Sequence, residues 1–444
     1  MPIQLHNGLI LRSLREGTPE DREHLVQFYV DVFTDQYGPE DRILAEWIPD
    51  LLSGKHPTVT ADDVFMVVDP ENEDQIVSAT LLIPQTWHYG GIPIPVGRPE
   101  LVGTRREYRR QGLVRALFQR VHERSAELGH MMQVITGIPF YYRQFEYAMA
   151  IDLGDCATLA LGALKSLEPK PDTPPAFRLR NAVLDDIPQI MAWERAFNEH
   201  QLLGTIRDRN YWEFEMNYRN PKSHHKRHFM IIENANGEAV GYVVTRSMTM
   251  WGTIGIFEYV VGDKASYLET LPYVLLAVRD YAFQHVYGEQ PPYGMWFDAS
   301  LYSILAKLLR GFPSATVLAD DYAWYVRVPH LYDFIRHIQP VLEQRLEGSL
   351  AHRYTGKLHI GFYTKQGLLL RFEQGKIVEI SDEEPDLGKA DALFPYLTFL
   401  NVLFGYRTPR ELQHGYPDVR FDYRSETLLN ILFPKQRAWI HPQQ

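Results

Sequence analysis

LVGTRREYRRQGLVRA, residues 101–116, predicts a β-strand that ends near Thr104, an arginine-rich turn and the start of an α-helix. The helix begins at Gln111 or Gly112 in this interpretation, because apolar residues recur after that point at three- and four-residue spacing. Glycine is a poor helix former, so a glycine at a helix start suggests that its missing side chain has a use. The first backbone N–H groups of a helix have no acceptor inside the helix, and the helix dipole favours negative charge there. The stretch therefore suggests a site for an anion such as pyrophosphate.

A solvated basic turn that caps an ordinary helix is the alternative, since short Gly/Arg motifs often match by chance. The neighbouring sequence favours the anion site. A strand predicted at residues 131–137 follows the helix, and PFYYRQFEY, residues 139–147, comes next. This order resembles the core of the GCN5-related N-acetyltransferases, whose pattern is Arg/Gln-x-x-Gly-x-Gly/Ala, a second strand and a tyrosine-containing helix. Arg109, Gly112 and Val114 fill the three marked positions, with Val114 in place of the usual small residue.

The tyrosine motif carries the resemblance further. Tyr142, Phe145 and Tyr147 form a Y-x-x-F-x-Y pattern about thirty residues after the arginine-rich turn. In this and in its length and domain order, the whole chain resembles the enhanced intracellular survival (Eis-like) branch of that family.

Composition restricts the possible functions. The chain has 444 residues, of which 45% are hydrophobic and 23% charged, and its net charge of -11 argues against a nucleic-acid partner. Cys156 is the only cysteine, which excludes an intrachain disulfide and a cysteine-rich zinc site and suits a reducing compartment. The N-terminus has no apolar core of signal-peptide length, and the apolar stretch at 393–406 is too short to span a bilayer. We therefore expect a cytoplasmic protein with no membrane partner and no metal ion.

Sequence order predicts a duplicated architecture. The proline-rich segment LEPKPDTPP, residues 167–175, indicates a linker, and the strand and helix order of the first part repeats from Phe177. We expect an α/β (α+β) fold with tandem acetyltransferase-like mixed-sheet domains at 1–166 and 167–328. The second copy has VGDKASYLETL, residues 261–271, where the arginine-rich turn should be, so it should bind no pyrophosphate.

The last part of the chain, residues 329–444, predicts a third domain. A helix should lead into three short strands, and helices should follow at 389–404 and 408–414. This pattern resembles the sterol-carrier-protein-like domain of the Eis-like chains.

The resemblance implies a binding site for acetyl-CoA as the cosubstrate. The strand end would contact the pantetheine arm, the turn and helix start would bind the pyrophosphate, and the end of the next strand would add a third contact. The residues that correspond to these roles are Val102, Gly103 and Thr104 for the arm, Arg109, Arg110, Gln111, Gly112, Leu113, Val114 and Arg115 for the pyrophosphate, and Gly137 and Ile138 for the third contact.

Acid and base catalysis are assigned by the same resemblance. Tyr142 corresponds to the proton donor of the family, and a phenol with a reference pKa of about 10 stays protonated at pH 7. Adjacent Tyr141 leaves the register open, and both tyrosines could simply pack against the sheet. The base in the family is the terminal carboxylate, here that of Gln444, although this chain ends WIHPQQ instead of in an aromatic residue. His441 is a second candidate for the base.

The resemblance implies N-acetylation of a primary amine, such as an aminoglycoside, a polyamine or a lysine side chain. A non-catalytic acyl-CoA-binding protein and a lipid binder acting through the third domain are the alternatives. A cationic acceptor would suit an acidic, aromatic pocket, and Asp35, Trp47 and Trp87 lie in the regions that line it in the family. The resemblance also implies a homo-oligomer, namely a hexamer.

Overall fold

The computed structural model describes the chain apart from residues 38–42, 154–155, 171–172, 299–304, 306–307, 310, 313–314, 319–321, 365, 384, 437 and 441–444. The two candidate bases, His441 and Gln444, lie outside the described residues, as does the side chain of Asp35.

Strands and helices are numbered here in chain order. The strands are β1 Ile3–Gln4, β2 Ile10–Ser13, β3 Val64–Asp69, β4 Gln75–Tyr89, β5 Ile92–Thr104, β6 Met132–Ile135, β7 Ala148–Asp152, β8 Cys156–Ala160, β9 Phe177–Asn181, β10 Leu203–Ile206, β11 Arg227–Asn234, β12 Ala239–Arg246, β13 Thr253–Val261, β14 Gly294–Phe297, β15 Ala315–Leu318, β16 Ala323–Arg327, β17 Gly356–Gly361, β18 Gly367–Glu373, β19 Lys376–Ser381, β20 Ala392–Leu393 and β21 Arg420–Phe421. The α-helices are α1 Asp21–Tyr37, α2 Ile43–Leu52, α3 Leu113–Glu127, α4 Ile187–Asn198, α5 Arg209–Glu213, α6 Tyr267–Gln284, α7 Leu331–Leu346, α8 Phe399–Leu403, α9 Pro409–Gly415 and α10 Tyr423–Leu432.

The first sheet has the order β1-β2-β3-β4-β5-β6-β16-β7, and β10 pairs with β4 at its side. Neighbours from β1 to β5 are antiparallel, whereas β5 and β6 run parallel. In this parallel pair, Val96 pairs with Met132 and Gly97 pairs with Gln133. Beyond that point the long end of β5 separates from β6, and a cleft opens between the two strands.

Apolar side chains cover both faces of this sheet. Leu25 and Phe28 of α1 and Trp47 of α2 pack on one face, while Leu113 and Leu117 of α3 pack on the other. The apolar side chains of α3, which recur at three- and four-residue spacing in the sequence, thus face the core as predicted.

The second sheet has the order β15-β8-β14-β13-β12-β11-β9 and repeats the arrangement of the first, including a parallel pair, β13 with β14. The two sheets exchange strands. β8, from the part predicted as the first domain, lies between β15 and β14, and β16, from the part predicted as the second, lies between β6 and β7. The fold class of tandem α+β units is confirmed, while the boundaries at 166 and 328 stay a prediction.

The third sheet has the order β19-β18-β17-β20-β21, and the apolar side of α7 packs in its core. The helix predicted at 389–404 was wrong in extent, because residues 392–393 form β20 and only Phe399–Leu403 is helical. Pro395 lies between the two, and proline opposes a continuous helix. Helix α9 matches the second prediction, whereas α10 was not predicted. Within the described residues, none of the helices combines the length and apolar character needed to cross a bilayer.

Candidate active site

A β-bulge shapes the end of β5. Ala79 pairs with Gly103 and Leu81 pairs with Glu100, so β5 has one residue more than β4 between these two pairs. Leu101 lies within this bulge. Its φ of 53° is a left-handed conformation that is strained for leucine. The hydroxyls of Thr80 and Ser78 donate to the carbonyls of Glu100 and Gly103, at 2.9 Å each. The bulge bends β5 away from β6 and holds the cleft open.

The helix after β5 begins as an open anion site. Gly112 has a φ of 77° and is the N-cap of α3. The first hydrogen bond of the helix that reaches Gly112 comes from the Ala116 N–H, at 3.1 Å. A Cβ built on Gly112 would have no atom within 4 Å, so the backbone conformation and not packing favours glycine here. The amides between these two residues therefore have no acceptor inside the helix, as a phosphate site requires.

A cavity of about 610 Å³ lies at the cleft and includes this helix start. Most of the residues predicted to bind the cofactor line it. The predicted residues on its wall are Val102, Gly103, Thr104, Arg109, Arg110, Gly112, Leu113, Val114, Arg115 and Ile138. The residues on its wall that were not predicted as cofactor contacts are Val32, Tyr108, Tyr141, Gln144 and Phe145.

Gln111 and Gly137 are the predicted cofactor contacts that are not on the cavity wall. The Tyr322 hydroxyl already bonds Gly137, because it accepts from the N–H at 3.1 Å and donates to the carbonyl at 2.7 Å. The Tyr325 hydroxyl accepts from the Phe140 N–H at 2.6 Å. Tyrosines 185 residues further along the chain thus hold the loop after β6. No local sequence signal could have predicted a contact at this separation.

Cationic side chains surround the open helix start. Arg109 and Arg110 are exposed, and the Arg109 Nε donates to the Thr104 carbonyl at 3.2 Å. Arg115 donates to the Gln144 side chain at 3.2 Å and lies over the Phe145 ring. These groups place positive charge where a pyrophosphate would meet the α3 amides.

The two tyrosines of the predicted motif lie in different environments. Tyr142 is 3% exposed and its ring packs on Phe118 and Tyr325. Its hydroxyl lies at the end of β6, 3.4 Å from the position that a Cβ on Gly137 would take. Tyr141 is partly buried and lines the cavity. Burial raises the pKa of both phenols, and more strongly that of Tyr142.

Glu100 is a carboxylate that the sequence interpretation did not single out. Arg98 pairs with it at 2.5 Å, and its charge adds to burial in raising the pKa of Tyr29 and of Tyr142. A carboxylate that acts on both phenols lies near them, on the bulged strand itself. A glutamate at the bulge of a predicted strand looked like an ordinary strand residue in the sequence.

The tryptophans expected in the acceptor pocket are buried. Trp87 is fully buried and its Nε1 donates to Gln85 at 2.8 Å. Trp47 is 5% exposed and its ring lies 4.5 Å from that of His225. Neither lines the cavity at the β5 end. In the described part of the chain, no group of three or more His, Cys, Asp or Glu side chains is arranged to hold a metal ion.

Solved structures share the fold of the whole chain. A GCN5-related N-acetyltransferase from Anabaena variabilis is 14% identical, with a TM-score of 0.66 over 97% of this chain and 99% of its own. A conserved protein from Enterococcus faecalis described as a probable N-acyltransferase is 15% identical, with a TM-score of 0.62 over 97% of each chain. Eis1 from Mycobacterium abscessus is 11% identical, with a TM-score of 0.60 over 98% of this chain and 99% of its own.

Sequence comparison identifies a family for the first part of the chain. A search of curated protein sequences finds no match. The family model for the acetyltransferase (GNAT) domain matches residues 13–150, which include the bulged strand, the open helix start and both tyrosines. Residues 13–150 therefore form an acetyltransferase domain of the GCN5-related N-acetyltransferase family.

Proposed function

We propose that the chain is an N-acetyltransferase that moves the acetyl group of acetyl-CoA to a primary amine. The observation that supports this most is the cavity at the end of β5, where an open helix start, exposed arginines and a bulged strand meet. Each feature suits one part of the cofactor. The amides after Gly112 suit the pyrophosphate, and the backbone of the bulged strand suits the pantetheine arm.

The reaction needs a proton donor for the leaving group. The amine nitrogen attacks the thioester carbonyl carbon, the carbon–sulfur bond breaks, and the thiolate takes a proton. We assign that proton to the Tyr142 hydroxyl, which regains one from solvent after release of CoA. Burial raises the pKa of the Tyr142 phenol, so the hydroxyl carries its proton at neutral pH when the thiolate forms.

The reaction also needs the amine in its neutral form. A primary alkyl ammonium has a pKa near 10.4, so a base must take its proton at pH 7. We assign this role to the terminal carboxylate of Gln444, which lies outside the described residues. Glu100 is the second candidate, because it acts electrostatically on Tyr142 and lies on the bulged strand.

The test is acetylation of a panel of amines by the purified protein with acetyl-CoA. The panel should include polyamines, aminoglycosides, lysine peptides and amino acids, with free thiol and the mass of the acetylated product as readouts. We expect thiol release that depends on one class of amine. If CoA binds but no amine is acetylated, the protein is a non-catalytic acyl-CoA binder and the enzyme proposal is wrong.

Three further properties belong to the proposal. We propose that the protein is a cytoplasmic homo-hexamer and that residues 329–444 form a sterol-carrier-protein-like domain. Light scattering would test the assembly, and a mass near that of one 51.6 kDa chain at micromolar concentration would contradict it.

A further inference from the structure

A pair of arginines lies on neighbouring strands of the second sheet. Arg227 of β11 and Arg246 of β12 are paired in register, so their side chains leave the sheet on the same face. His228 points to the opposite face, where its ring stacks on Tyr281 of α6 with centroids 4.2 Å apart. The two guanidinium groups therefore lie on the face turned away from α6.

Both guanidinium groups lie over the ring of Phe257. The Arg227 guanidinium lies 3.6 Å and that of Arg246 5.7 Å from the centroid of the Phe257 ring. Phe257 occupies the irregularity of β13, between the pairs that Glu258 and Ile256 make with β12. Stacking of this kind fixes the plane of a guanidinium group and leaves its N–H groups free to point outward.

The positive charges of the pair are not compensated in the described part of the chain. Arg227 donates to the His224 carbonyl at 3.2 Å, and the buried Nε of Arg246 has no hydrogen-bond partner there. Neither arginine forms an ion pair with a described carboxylate. Both side chains are nevertheless partly buried. Partly buried cations normally pair with an anion, because burial of an unpaired charge is costly.

Electrostatics agree with this geometry. Burial and the neighbouring charge of Arg246 lower the pKa of Arg227 to about 9, and burial lowers the pKa of Arg246 to about 10. Glu215 is the carboxylate that partly offsets the effect at Arg227, but its oxygens already accept from Arg219 at 3.0 Å and from the Tyr211 hydroxyl at 3.0 Å. The pair thus lacks a protein anion that could neutralise it in the described residues.

The loop before β11 connects the pair to the first sheet. The ring of His225 packs on Trp47 of α2, 4.5 Å between centroids. Burial lowers the pKa of His225, and the charges of Arg227 and Arg98 lower it further. Arg98 lies on β5 and pairs with Glu100, whose charge in turn acts on Tyr142. His225 therefore lies between the arginine pair and Arg98 of β5, the strand that borders the acetyl-transfer cleft.

We propose that Arg227 and Arg246 bind an anionic group of the acceptor, either a carboxylate or a phosphate, an inference that rests on the acetyltransferase function proposed above. Guanidinium groups bind these two anions through paired N–H donors. The acceptor is then an amine that also carries a negative charge, such as an amino acid, an acidic peptide or a phosphorylated amine. A polyamine or an aminoglycoside would meet two like charges instead.

The first experiment measures anion binding without turnover. CoA is held at saturation so that the helix start at Gly112 is occupied, and inorganic phosphate or acetate is titrated by calorimetry. Arg246→Met and Arg227→Met keep the aliphatic packing on Phe257 and remove the charge. We expect each to weaken binding of the preferred anion about tenfold or more, as loss of a charged hydrogen-bond pair does. Arg178→Met is the matched control, because Arg178 lies on the same sheet but is exposed and paired with Glu233.

The second experiment measures acceptor choice and separates the two anions. Ethanolamine, β-alanine and O-phosphoethanolamine share a primary amine and differ in carrying no anion, a carboxylate or a phosphate. Putrescine adds a second cation. We expect kcat/KM to be highest for one of the anionic amines, and Arg246→Met to remove about tenfold or more of that preference. Arg246→Lys should restore part of the preference, because it restores the charge but not the planar fork.

The outcomes distinguish this inference from the proposed function. If putrescine or ethanolamine is acetylated as well as the anionic amines and the arginine variants change neither binding nor preference, the acceptor inference is wrong while the acetyltransferase stands. If no amine is acetylated although Arg246→Met abolishes phosphate binding, the anion site stands, and the enzyme and its acceptor assignment both fall.

Discussion

Tyr142 is held in its protonated state by its surroundings. Its ring lies among Phe118, Tyr147 and Tyr325, and its hydroxyl is at the end of β6. Burial and the charge of Glu100 both disfavour the phenolate, so the pKa of Tyr142 rises above its usual value.

Tyr142→Phe keeps the buried ring and removes the proton. We expect turnover of a confirmed amine to fall by about a hundredfold or more while the affinity for CoA is unchanged. Tyr141→Phe is the matched variant, because it removes a neighbouring hydroxyl that lines the cavity. We expect it to leave kcat nearly unchanged. If the loss of turnover followed Tyr141 instead, the register of the tyrosine motif would be shifted by one residue and the acid assignment would move with it.

His56 makes the stability of the protein depend on pH. Its Nδ1 accepts from the backbone N–H groups of Thr58 and Val59, at 3.2 and 3.0 Å, and it is 6% exposed. Burial and the charge of Arg219 lower its pKa to about 3, so the folded protein holds it neutral while the unfolded chain takes up a proton below about pH 6.5. Stability from this group is therefore complete above pH 6.5 and is lost as the pH falls towards 3.

His56→Asn tests this dependence, because asparagine keeps an acceptor near the two N–H groups and does not titrate. We expect the wild type to lose about 1.4 kcal/mol of stability per pH unit through this residue between pH 6 and 4, and the variant not to lose it. The measurement is the difference in thermal midpoint between pH 7 and pH 5. Equal differences in both proteins would show that His56 is not responsible.

The helices α3 and α6 occupy equivalent places after the bulged strands β5 and β13, but their N-termini differ. At α6 the Ser266 hydroxyl accepts from the Glu269 N–H at 3.2 Å and donates to the Glu269 carboxylate at 2.7 Å. The Val261 N–H at the end of β13 donates to the Tyr267 hydroxyl at 3.3 Å. Side-chain hydroxyls thus already accept from the backbone N–H groups that an anion would need. The Glu269 carboxylate lies beside them. The open helix start at α3 has no such cap.

A substitution at the start of α3 should abolish CoA binding, whereas one at the start of α6 should lower only the stability of the protein. Gly112→Glu places a charge and a strained backbone in the anion site, so we expect stabilisation of the protein by CoA to vanish. Ser266→Ala removes a cap and should cost about 1 kcal/mol of stability without changing CoA binding. Thermal shifts with and without CoA would measure both. Loss of CoA binding in Ser266→Ala but not in Gly112→Glu would place the cofactor in the second domain.

Local elements were predictable because their causes are local. The strand, turn and helix around Gly112 follow from glycine, arginine and apolar spacing within a few residues, and the structure places α3 within two residues of the predicted start. The strands β8, β14, β15 and β16 were not predicted, because they are short and their partners are distant in the chain. The cavity residues Val32 and Gln144 were missed for the same reason, since only the fold brings them to the bulged strand.

At the scale of the molecule, the sheets are joined by exchange of strands. Ala323 of β16 pairs with Asp152 of β7, and Val326 pairs with Val134 of β6, so β16 closes the first sheet from a distant part of the chain. In return, Ala157 of β8 pairs with Phe297 of β14 in the second sheet. Trp324 and Val326 are fully buried in the core that the first sheet shares with the third domain. Each of the two sheets therefore contains a strand from the other side of the linker predicted at 167–175.

This exchange predicts how the chain behaves when it is cut at the linker. Residues 1–166 alone would lack β16, which leaves β6 and β7 with unpaired edges and removes Trp324 from the core. We expect residues 1–166 and residues 167–444 to be aggregated or protease-sensitive when each is produced alone, because each would expose apolar surface and open strand edges. Produced together, they should copurify as a folded complex, because each supplies a strand to the sheet of the other. The measurements are limited proteolysis and thermal unfolding of each fragment and of the pair, with the intact chain as reference. A fragment 1–166 that unfolds cooperatively at the temperature of the intact chain would contradict this prediction, since β16 would then be dispensable for the sheet that carries the acetyltransferase site.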